Sequence, residues 1–490
     1  MLTRLQVHGF KNLLDVDIQF GPFTCIAGAN GVGKSNLFDA IRFLSALADK
    51  PLDESAAIRA QGGQDVADLF HRAGEHKAEE MSFAAEMLIP EQGIDELGQE
   101  TSATATFLRY ELRLGRTRRG FEIREERLAP IDRNESDFPI AFPHHKSWRN
   151  SVIKGRRVSP YISTVKKNGV TFVYLHQDTE EGSPLEGHSR PHIAEKLPRT
   201  VLSSAANGAE APTAVLARRE MRSWRLLQLE PSALRAPDAY SAPDSIAPNG
   251  AHLPATLARL TRWNASADDG SRVGREAEAI YADIANRLAE LIDGVHSIRV
   301  DADDARELLK LVLCDREGTE HEAKALSDGT LRFLALAILE NDPKASGVLC
   351  LEEPENGIHP ERIEAMLRLL EDLATDPETA VDEVNPLRQV IVNTHSPAVV
   401  SQIADGDLLV VVPELMMLSG RRSTRPIFRW LDQTWRSEAR PSASPLPAGK
   451  ILKYLTPLGL PQPSQDRPRE DRRVIDRHEF LPLDSSAASG

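Results

Sequence analysis

The chain contains a short glycine-rich segment whose residue types suit the binding of phosphate groups. Residues 28–35 read Gly-Ala-Asn-Gly-Val-Gly-Lys-Ser, between an apolar strand-like stretch and a segment with helical spacing. Glycines let backbone N–H groups turn toward phosphate oxygens, and the helix N-terminus adds partial positive charge. We expect Lys34 to reach the β- and γ-phosphates of ATP and the Ser35 hydroxyl to bind Mg²⁺. The alternative is a chance glycine-rich turn.

A pair of carboxylates follows a second apolar stretch. Residues 348–351 are Val-Leu-Cys-Leu, and Glu352, Glu353 and Pro354 come directly after them. Alternate side chains at the end of a strand point to different places, so the two acids can have different roles. We expect Glu352 to associate with Mg²⁺ and Glu353 to act as the general base that polarises the attacking water. An Asp is usual at the first position, and the alternative is two solvated acids.

Residues 325–332, Ala-Leu-Ser-Asp-Gly-Thr-Leu-Arg, lie between these two motifs in sequence. They resemble the signature of ABC-type ATPases, in the Ser-Asp-Gly-Thr form known from RecF-like and OLD-like ATPases. The resemblance implies that the signature of one subunit contacts the γ-phosphate bound by another. Ser327 and the Gly329 N–H would then act in trans within a homodimer or higher homo-oligomer. Taken alone, this loop is an ordinary helix N-cap.

Further residues match the same family. An apolar strand-like run, 390–393, leads to Thr-His-Ser, and His395 resembles the switch histidine that contacts the γ-phosphate or the attacking water. His359 lies in a run similar to the family's D-loop and is expected at a dimer interface or in a structural role. Phe10, Lys11 and Asn12, with Asp39 and Ala40, match the opening of RecF-like and SMC-like heads. The nucleotide-binding residues implied by the resemblance are Asn30, Gly31, Gly33, Lys34, Ser35 and Asn36.

The order of elements predicts an α/β fold, an ABC-type P-loop ATPase head with mixed and parallel sheets. Residues 1–130 alternate as strands around one helical segment, and 293–415 contain two very apolar strands typical of a buried parallel sheet. Between them, 131–292 reads as an insertion that is loop-rich and then helical. Residues 416–490 form a C-terminal extension, rich in Pro, Arg, Asp and Ser beyond residue 461, and predicted to be partly disordered.

Composition limits the possible classes of protein. The 490 residues carry a formal net charge of −14, and no run of eighteen apolar residues occurs, so no membrane span is predicted. Three cysteines, Cys25, Cys314 and Cys350, each lie inside an apolar run and are expected to be reduced and buried, as in a cytoplasmic protein. An acidic balance counts against non-specific coating of nucleic acid.

Two basic segments nevertheless offer contacts to DNA. Residues 143–169 contain seven Lys and Arg residues and no acidic residue, with two aromatic residues interleaved for base stacking. A second group of arginines surrounds Trp224 on a short helix. The alternative for the first segment is a solvated loop or a patch that docks an acidic partner. The first segment contributes Lys146, Trp148, Arg149, Lys154, Arg156, Arg157, Tyr161, Lys166 and Lys167, and the second Arg218, Arg219, Arg222 and Arg225.

Three functions remain open from the sequence. In the first, ATP-dependent head dimerisation is coupled to DNA binding in repair or anti-phage defence. In the second, the ATPase is a sensor or scaffold that holds a separate effector nuclease or toxin. A transporter subunit, the third, is disfavoured by Thr330 and by the large insertion. The Asp405-Gly406-Asp407 run lacks the surroundings of a built-in nuclease, and the family's Q-loop glutamine is left open between Gln61 and Gln64.

Overall fold

The computed structural model describes residues 1–56, 66–73, 76–118, 120–131, 140–178, 191–263, 270–292, 294–418, 421–439 and 444–447. Within these ranges the chain has a mixed α/β fold, which confirms the predicted α/β class. Gln61, Gln64 and most of the C-terminal extension lie outside the described residues. The chain divides into two units: the first comprises 1–225, 375–389 and 409–446, and the second comprises 226–374, 390–408 and 447–490.

Twenty-two strands are present in the described ranges. They are β1 Leu2–His8, β2 Val16–Gln19, β3 Phe23–Gly28, β4 Arg72–Ala73, β5 His76–Lys77, β6 Glu80–Leu88, β7 Gln92–Ile94, β8 Glu100–Ser102, β9 Phe107–Arg116, β10 Phe121–Pro130, β11 Ile162–Lys167, β12 Val170–Leu175, β13 Pro191–Ile193, β14 Arg225–Leu227, β15 Asp238–Ala239, β16 Val295–Asp303, β17 Leu308–Asp315, β18 Glu320–Glu322, β19 Gly347–Glu352, β20 Arg388–Thr394, β21 Leu408–Leu418 and β22 Arg421–Arg429.

The same ranges contain twelve α-helices and several single 3-10 turns. The helices are α1 Lys34–Leu47, α2 Leu52–Ala56, α3 Lys146–Val152, α4 Val201–Ser204, α5 Pro212–Arg222, α6 Pro231–Leu234, α7 Leu253–Trp263, α8 Gly270–Leu291, α9 Asp328–Glu340, α10 Ile363–Leu373, α11 Pro397–Gln402 and α12 Trp435–Ala439.

The first unit is built on an eight-stranded antiparallel sheet in the order β13-β12-β11-β10-β9-β6-β1-β2. Helix α1 packs on it through aromatic rings. Phe43 of α1 lies 5.6 Å from Phe10 and 5.7 Å from Phe83, measured between ring centroids. Such aromatic contacts bury large apolar areas and fix ring geometry. The helix that follows the phosphate loop is thereby held against a rigid sheet.

The second unit contains the most apolar elements of the chain. β19 is buried over residues 347–351, and the part of β20 that belongs to this unit, 390–394, is fully buried. Strands β14, β19 and β20 are neighbours in that order. Helix α9 is apolar on nearly all sides, as expected of a helix packed within a core. A small antiparallel sheet, β15-β17-β16 with β18 paired to β17, completes the unit.

Two sequence-based expectations are corrected here. Residues 131–292, expected to be loop-rich and then helical, also contain β11, β12 and β13, which extend the eight-stranded sheet. These strands have six residues or fewer and their tip is charged, so their alternation is weak. The thiols of Cys25 and Cys350 are buried as expected, but Cys314 is only half-buried because it lies near the end of β17.

Candidate functional site

The phosphate loop connects buried strand β3 to helix α1. Gly31 and Gly33 have φ angles of 77° and 114°, in the left-handed region that favours glycine. A Cβ atom on Gly33 would lie 2.6 Å from Asn12 Nδ2, and a φ of 114° strains any residue that carries a side chain. Gly33 also occupies the N-cap of α1, without a side-chain hydrogen bond to the helix N-terminus. The backbone amides that begin α1 are therefore not capped by the N-cap side chain, as an anion site requires.

Lys34 lies within this loop. Its Nζ donates to the carbonyl oxygens of Gly28 at 2.5 Å and of Ala29 at 3.0 Å. The side chain is buried, whereas Ser35 beside it is half-exposed. The ammonium is thus already positioned at the mouth of the loop, where phosphate oxygens would replace carbonyl oxygens as its acceptors. Asn30 is exposed in the same loop.

The Phe10-Lys11-Asn12 segment braces the outer side of α1. Lys11 Nζ lies 2.6 Å from Asp39 Oδ2, and Asn36 Nδ2 donates to Asn12 Oδ1 at 2.8 Å. Lys11 has a φ of 49°, a left-handed conformation that turns the segment toward the helix. The residues that carry the sequence resemblance at the N-terminus are therefore brought together around the phosphate loop. Asn36, predicted to bind nucleotide, bonds Asn12 in this structure.

In the second unit, β19 ends in the two predicted acids. Glu353 has a φ of 47°, which is uncommon for a non-glycine residue. Its N–H donates to the Asn393 backbone oxygen at 3.0 Å, and the Asn393 side chain lies 3.4 Å from Glu352 Oε1. Such strained backbone conformations persist where the surrounding structure holds them and cluster at active sites.

His395 and Asn356 contact opposite oxygens of the Glu353 carboxylate. His395 Nδ1 lies 2.6 Å from Glu353 Oε1, and Asn356 Nδ2 donates to Glu353 Oε2 at 2.9 Å. Both Glu353 and His395 remain partly exposed, so water can reach them. The pair predicted as general base and switch histidine is thus in direct contact. A carboxylate beside an imidazole in this way is a recurrent arrangement for moving a proton.

A third acid, Glu355, supports the turn that carries His395. Glu355 is buried, and its Oε1 accepts a 2.5 Å hydrogen bond from the Thr394 hydroxyl. That hydroxyl in turn accepts the N–H of Ser396 at 2.9 Å, which shapes the turn carrying His395. Burial raises the pKa of the Glu355 carboxyl, against the lowering effect of the Thr394 hydrogen bond.

The signature segment forms the N-terminus of α9. Ser327 is the N-cap, and its Oγ accepts the Thr330 N–H at 3.2 Å. A Cβ atom on Gly329 would lie 2.2 Å from the backbone oxygen of Gly357, so the D-loop passes directly over this glycine. Asp328 bonds Arg235 at 2.6 Å. Within one chain Ser327 therefore acts as an N-cap, and its role toward a second subunit stays a prediction. His359 is an exposed N-cap of the 3-10 turn Pro360–Arg362.

Gln228 is a candidate site residue that the sequence reasoning missed. It follows β14, the strand beside β19, and lines a cavity of about 370 Å³ together with Glu352, Glu353 and Arg332. Its side chain is exposed. The only sequence feature that could have indicated this position is the three-residue strand Arg-Leu-Leu directly before it. A strand of that length, next to an Arg-rich helix, is too short to be predicted from its pattern.

The two aromatic residues of the basic segment 143–169 are not accessible for base stacking, contrary to expectation. Trp148 and Tyr161 are fully buried, because each packs into the interior of the first unit. Arg157 lies over the Tyr161 ring at 4.5 Å and donates to the Ser159 and Gln177 carbonyls. The predicted aromatic contacts to DNA from these two residues are therefore wrong. The exposed basic residues of the segment are Lys146, Arg156, Lys166 and Lys167, while Arg149 and Lys154 are half-buried.

The second arginine group is structural and does not form a basic face. Arg218 is buried and donates to the carbonyl oxygens of Ala48 at 3.0 Å and Ala205 at 2.9 Å. Arg222 pairs with acidic side chains, Asp49 and Glu96. Trp224 is buried against Glu220. Together with the Thr200 hydroxyl, which bonds the Leu47 oxygen at 2.8 Å, Arg218 satisfies carbonyls at the C-terminal end of α1. These arginines hold the helix of the phosphate loop in place.

The fold and these motifs define a P-loop ATPase, and comparison with known proteins gives its family. The chain belongs to the family described as “AAA domain, putative AbiEii toxin, Type IV TA system”, which matches residues 23–167 and 162–401. It is related to ABC-type ATPases, and the predicted resemblance to RecF-like and OLD-like proteins is confirmed by the relatives. No helix of the described residues is long and apolar enough to span a membrane.

The curated relatives match over limited segments. A DNA replication and repair protein RecF of Phocaeicola vulgatus is 36% identical over 84 residues, 16% of this chain and 22% of that protein. An OLD nuclease of Thermus scotoductus is 51% identical over 41 residues, 8% of each protein. The RecF of Porphyromonas gingivalis is 25% identical over 173 residues, 32% of this chain and 46% of that protein. The chain thus spans less than half the length of these relatives.

Solved SMC head domains are also similar to the chain. A SMC head bound to the C-winged helix domain of ScpA is 15% identical, with 88% of this chain and 98% of that chain covered and a TM-score of 0.44. The SMC head domain from Thermotoga maritima is 15% identical, covering 87% and 98%, with a TM-score of 0.37.

Proposed function

We propose that this chain binds ATP with Mg²⁺, hydrolyses it to ADP and phosphate, and dimerises through its ATP sites. The observation that carries the proposal is the arrangement at the end of β19. Glu353 is held in a left-handed conformation, and its carboxylate contacts His395 at 2.6 Å. A strained carboxylate paired with a histidine, in a family of ATPase domains, fits a general base better than a solvated acid.

In this proposal the phosphate loop supplies binding and charge. Lys34 and the N–H groups of residues 30–36 bind the phosphates, at a helix N-terminus that favours anions. Mg²⁺ prefers hard oxygen donors, and the Ser35 hydroxyl and the Glu352 carboxylate are the groups that would hold it. Both side chains are half-exposed, so their oxygens are accessible to a cation. The bound ion would neutralise charge on the phosphates, and Gln228, beside Glu352 and Glu353, would orient the attacking water.

Glu353 would take a proton from the attacking water, and His395 would keep the Glu353 carboxylate in position for that step. Asn356 and His395 hold the carboxylate between them, so the base is positioned before the substrate arrives. Ser327 and the Gly329 N–H, at the N-terminus of α9, are proposed to contact the γ-phosphate bound by a second copy. Two copies would thus complete each other's sites, and hydrolysis would release them.

The test is the Glu353→Gln variant of the full chain, which keeps the shape of the side chain and removes the base. We expect ATP hydrolysis, followed as phosphate release, to fall about 100-fold or more. ATP binding should persist, and size-exclusion chromatography with light scattering should show an ATP-dependent dimer. Glu361→Gln, in an exposed acid eight residues away, is the control and should leave both properties unchanged. Unchanged hydrolysis in Glu353→Gln, or monomers at every ATP concentration, would contradict the proposal.

We further propose that ATP-dependent dimerisation is coupled to DNA binding, in DNA repair or anti-phage defence. The exposed side chains of Arg156, Lys166 and Lys167 support DNA contact, because they lie in a segment without acidic residues on a chain of net charge −14. The relatives named as RecF support the same assignment. Binding of labelled DNA by the Glu353→Gln variant should strengthen with ATP.

The second candidate is an ATPase sensor or scaffold that holds a separate nuclease or toxin effector. The family description and the overall acidity favour it. Glu353→Gln dimers that ignore DNA but co-purify with one defined protein partner in stoichiometric amounts would support this second function. DNA binding that strengthens with ATP would support the first.

A further inference from the structure

The short hairpin formed by β11 and β12 presents an aromatic face that the ATPase motifs do not use. Side chains two residues apart on a strand share a face, so Phe172 and Tyr174 lie side by side. Their ring centroids are 6.5 Å apart, and both rings are half-exposed. The residue between them, Val173, points the other way and is fully buried. One side of the hairpin therefore packs inward, and the aromatic side remains accessible.

Cross-strand register identifies the rest of this face. Val165 of β11 pairs with Phe172, and Lys167 pairs with Val170. Both valines are 38% exposed, and the Lys167 ammonium lies 5.9 Å from the centre of the Tyr174 ring. We call these five residues, Val165, Lys167, Val170, Phe172 and Tyr174, the hairpin face. It combines flat apolar rings with a cation at one end.

The hairpin has a tight turn, and the sequence segment that contains it is basic. Asn168 and Gly169 form the turn with φ angles of 51° and 80°, the pattern of a two-residue turn that matches the twist of the strands. No Asp or Glu occurs from residue 143 to residue 177, and Lys166 and Arg156 are exposed nearby in sequence. In a chain of net charge −14 this local absence of acids favours a polyanionic ligand.

We propose that the hairpin face binds single-stranded nucleic acid, with bases stacked on Phe172 and Tyr174 and phosphate contacted by Lys167. Bases within a duplex are stacked on one another, so only unpaired bases can stack on protein rings, and every base has a suitable face. The proposal deepens the DNA-binding part of the proposed function and names its substrate class. It transfers the stacking role from the buried Trp148 and Tyr161 to two accessible rings.

The experiment measures fluorescence anisotropy of a labelled oligo(dT) of twenty nucleotides with the full chain, free of nucleotide. Phe172→Leu/Tyr174→Leu keeps the face apolar and removes the rings. We expect its affinity for oligo(dT) to fall roughly tenfold or more, since each stacked base contributes substantially. Tyr240→Leu removes an exposed aromatic of the second unit and should change nothing. Thermal melting checks that each variant is folded.

The charged end of the face is tested by salt dependence. Lys167→Gln should reduce the slope of log affinity against log salt by roughly 0.7, because each phosphate contact to a single strand contributes about that much. Lys50→Gln, an exposed lysine elsewhere, is the matched control. A slope reduced equally by Lys50→Gln would count against the proposed contacts.

Competing probes identify the ligand. A matched duplex should bind at least tenfold more weakly than oligo(dT). Binding of oligo(U) as tightly as oligo(dT), or more tightly, would also support the hairpin face, with RNA as its ligand. Equal binding of duplex and single strand, with no loss in the leucine double variant, would overturn the proposal. ATP hydrolysis by the same variants should match the parent chain. No binding of oligo(dT) by a parent chain that still hydrolyses ATP would refute this inference alone. No hydrolysis by a parent chain that binds oligo(dT) would refute the ATPase mechanism alone.

Discussion

A buried acid in the first unit should make folding stability fall as the pH rises. Glu126 on β10 is completely buried, and its carboxylate accepts the N–H groups of Val201 at 2.7 Å and Leu202 at 2.8 Å. Burial, opposed by these hydrogen bonds and by that of Tyr110, raises the pKa of Glu126 from its ordinary value of 4.5 to about 7. The folded chain therefore holds a proton over a pH range in which the unfolded chain has released it.

The sign and size follow from proton linkage. When the folded state binds more protons than the unfolded state, the free energy of unfolding decreases as pH rises. The contribution of Glu126 is therefore complete below about pH 4.5 and is lost progressively up to about pH 7. Each pH unit in this window corresponds to about 1.4 kcal/mol, so the loss approaches about 3 kcal/mol.

The assay is urea denaturation, followed by tryptophan fluorescence at several pH values, for the parent chain and Glu126→Gln. The amide cannot ionise, so the difference in unfolding free energy between the two proteins isolates the titration of this one group. We expect that difference to shift by about 3 kcal/mol against the parent between pH 4.5 and pH 8. Glu125→Gln, in the neighbouring acid on the exposed side of the strand, should give no comparable shift. A constant difference for Glu126→Gln across this range would refute the reasoning.

Three further predictions concern the candidate site and its supports. His395→Ala should lower the turnover of ATP about 100-fold and change the KM for ATP less than about threefold, because it removes a partner of the base and not of the phosphates. A large rise in KM with unchanged turnover would contradict this. Gly329→Ala should abolish the ATP-dependent dimer seen by light scattering, since its methyl group meets the Gly357 oxygen at 2.2 Å; an intact dimer would show that α9 adjusts freely. Arg218→Gln should lower the unfolding free energy by about 1–3 kcal/mol, measured in urea, because buried carbonyls lose their donor; exposed Arg219→Gln is the control.

The sequence was sufficient for those parts of the site that consist of contiguous residues. β3, the glycine loop and α1 follow one another with the expected burial, because an apolar run, glycines and helical spacing act locally. The same holds for Glu352 and Glu353 after β19. The left-handed backbone of Glu353 was not predictable, since it depends on Asn393, which is forty residues away and meets it only through the pairing of strands.

Residues that depend on tertiary burial were predicted poorly. An aromatic residue among lysines looks like a stacking site, but Trp148 is buried because α3 turns it toward Phe142. Arginines near one tryptophan look like a basic face, yet Arg218 is buried and donates to the backbone carbonyls of Ala48 and Ala205. The position of Gln228 could not be predicted, because it depends on the pairing of β14 with β19. Composition shows which groups are present, and the side on which each lies is decided by packing.

The way α1 ends has a practical consequence for dividing this chain into fragments. The helix starts at the phosphate loop, near the N-terminus, but its final carbonyls at Leu47 and Ala48 are bonded by Thr200 and Arg218, from a segment expected to be a separate insertion. A fragment that stops at residue 130 would leave these carbonyls without their donors, and the helix would fray from that end. Any truncated protein intended to keep nucleotide affinity must therefore continue past α5.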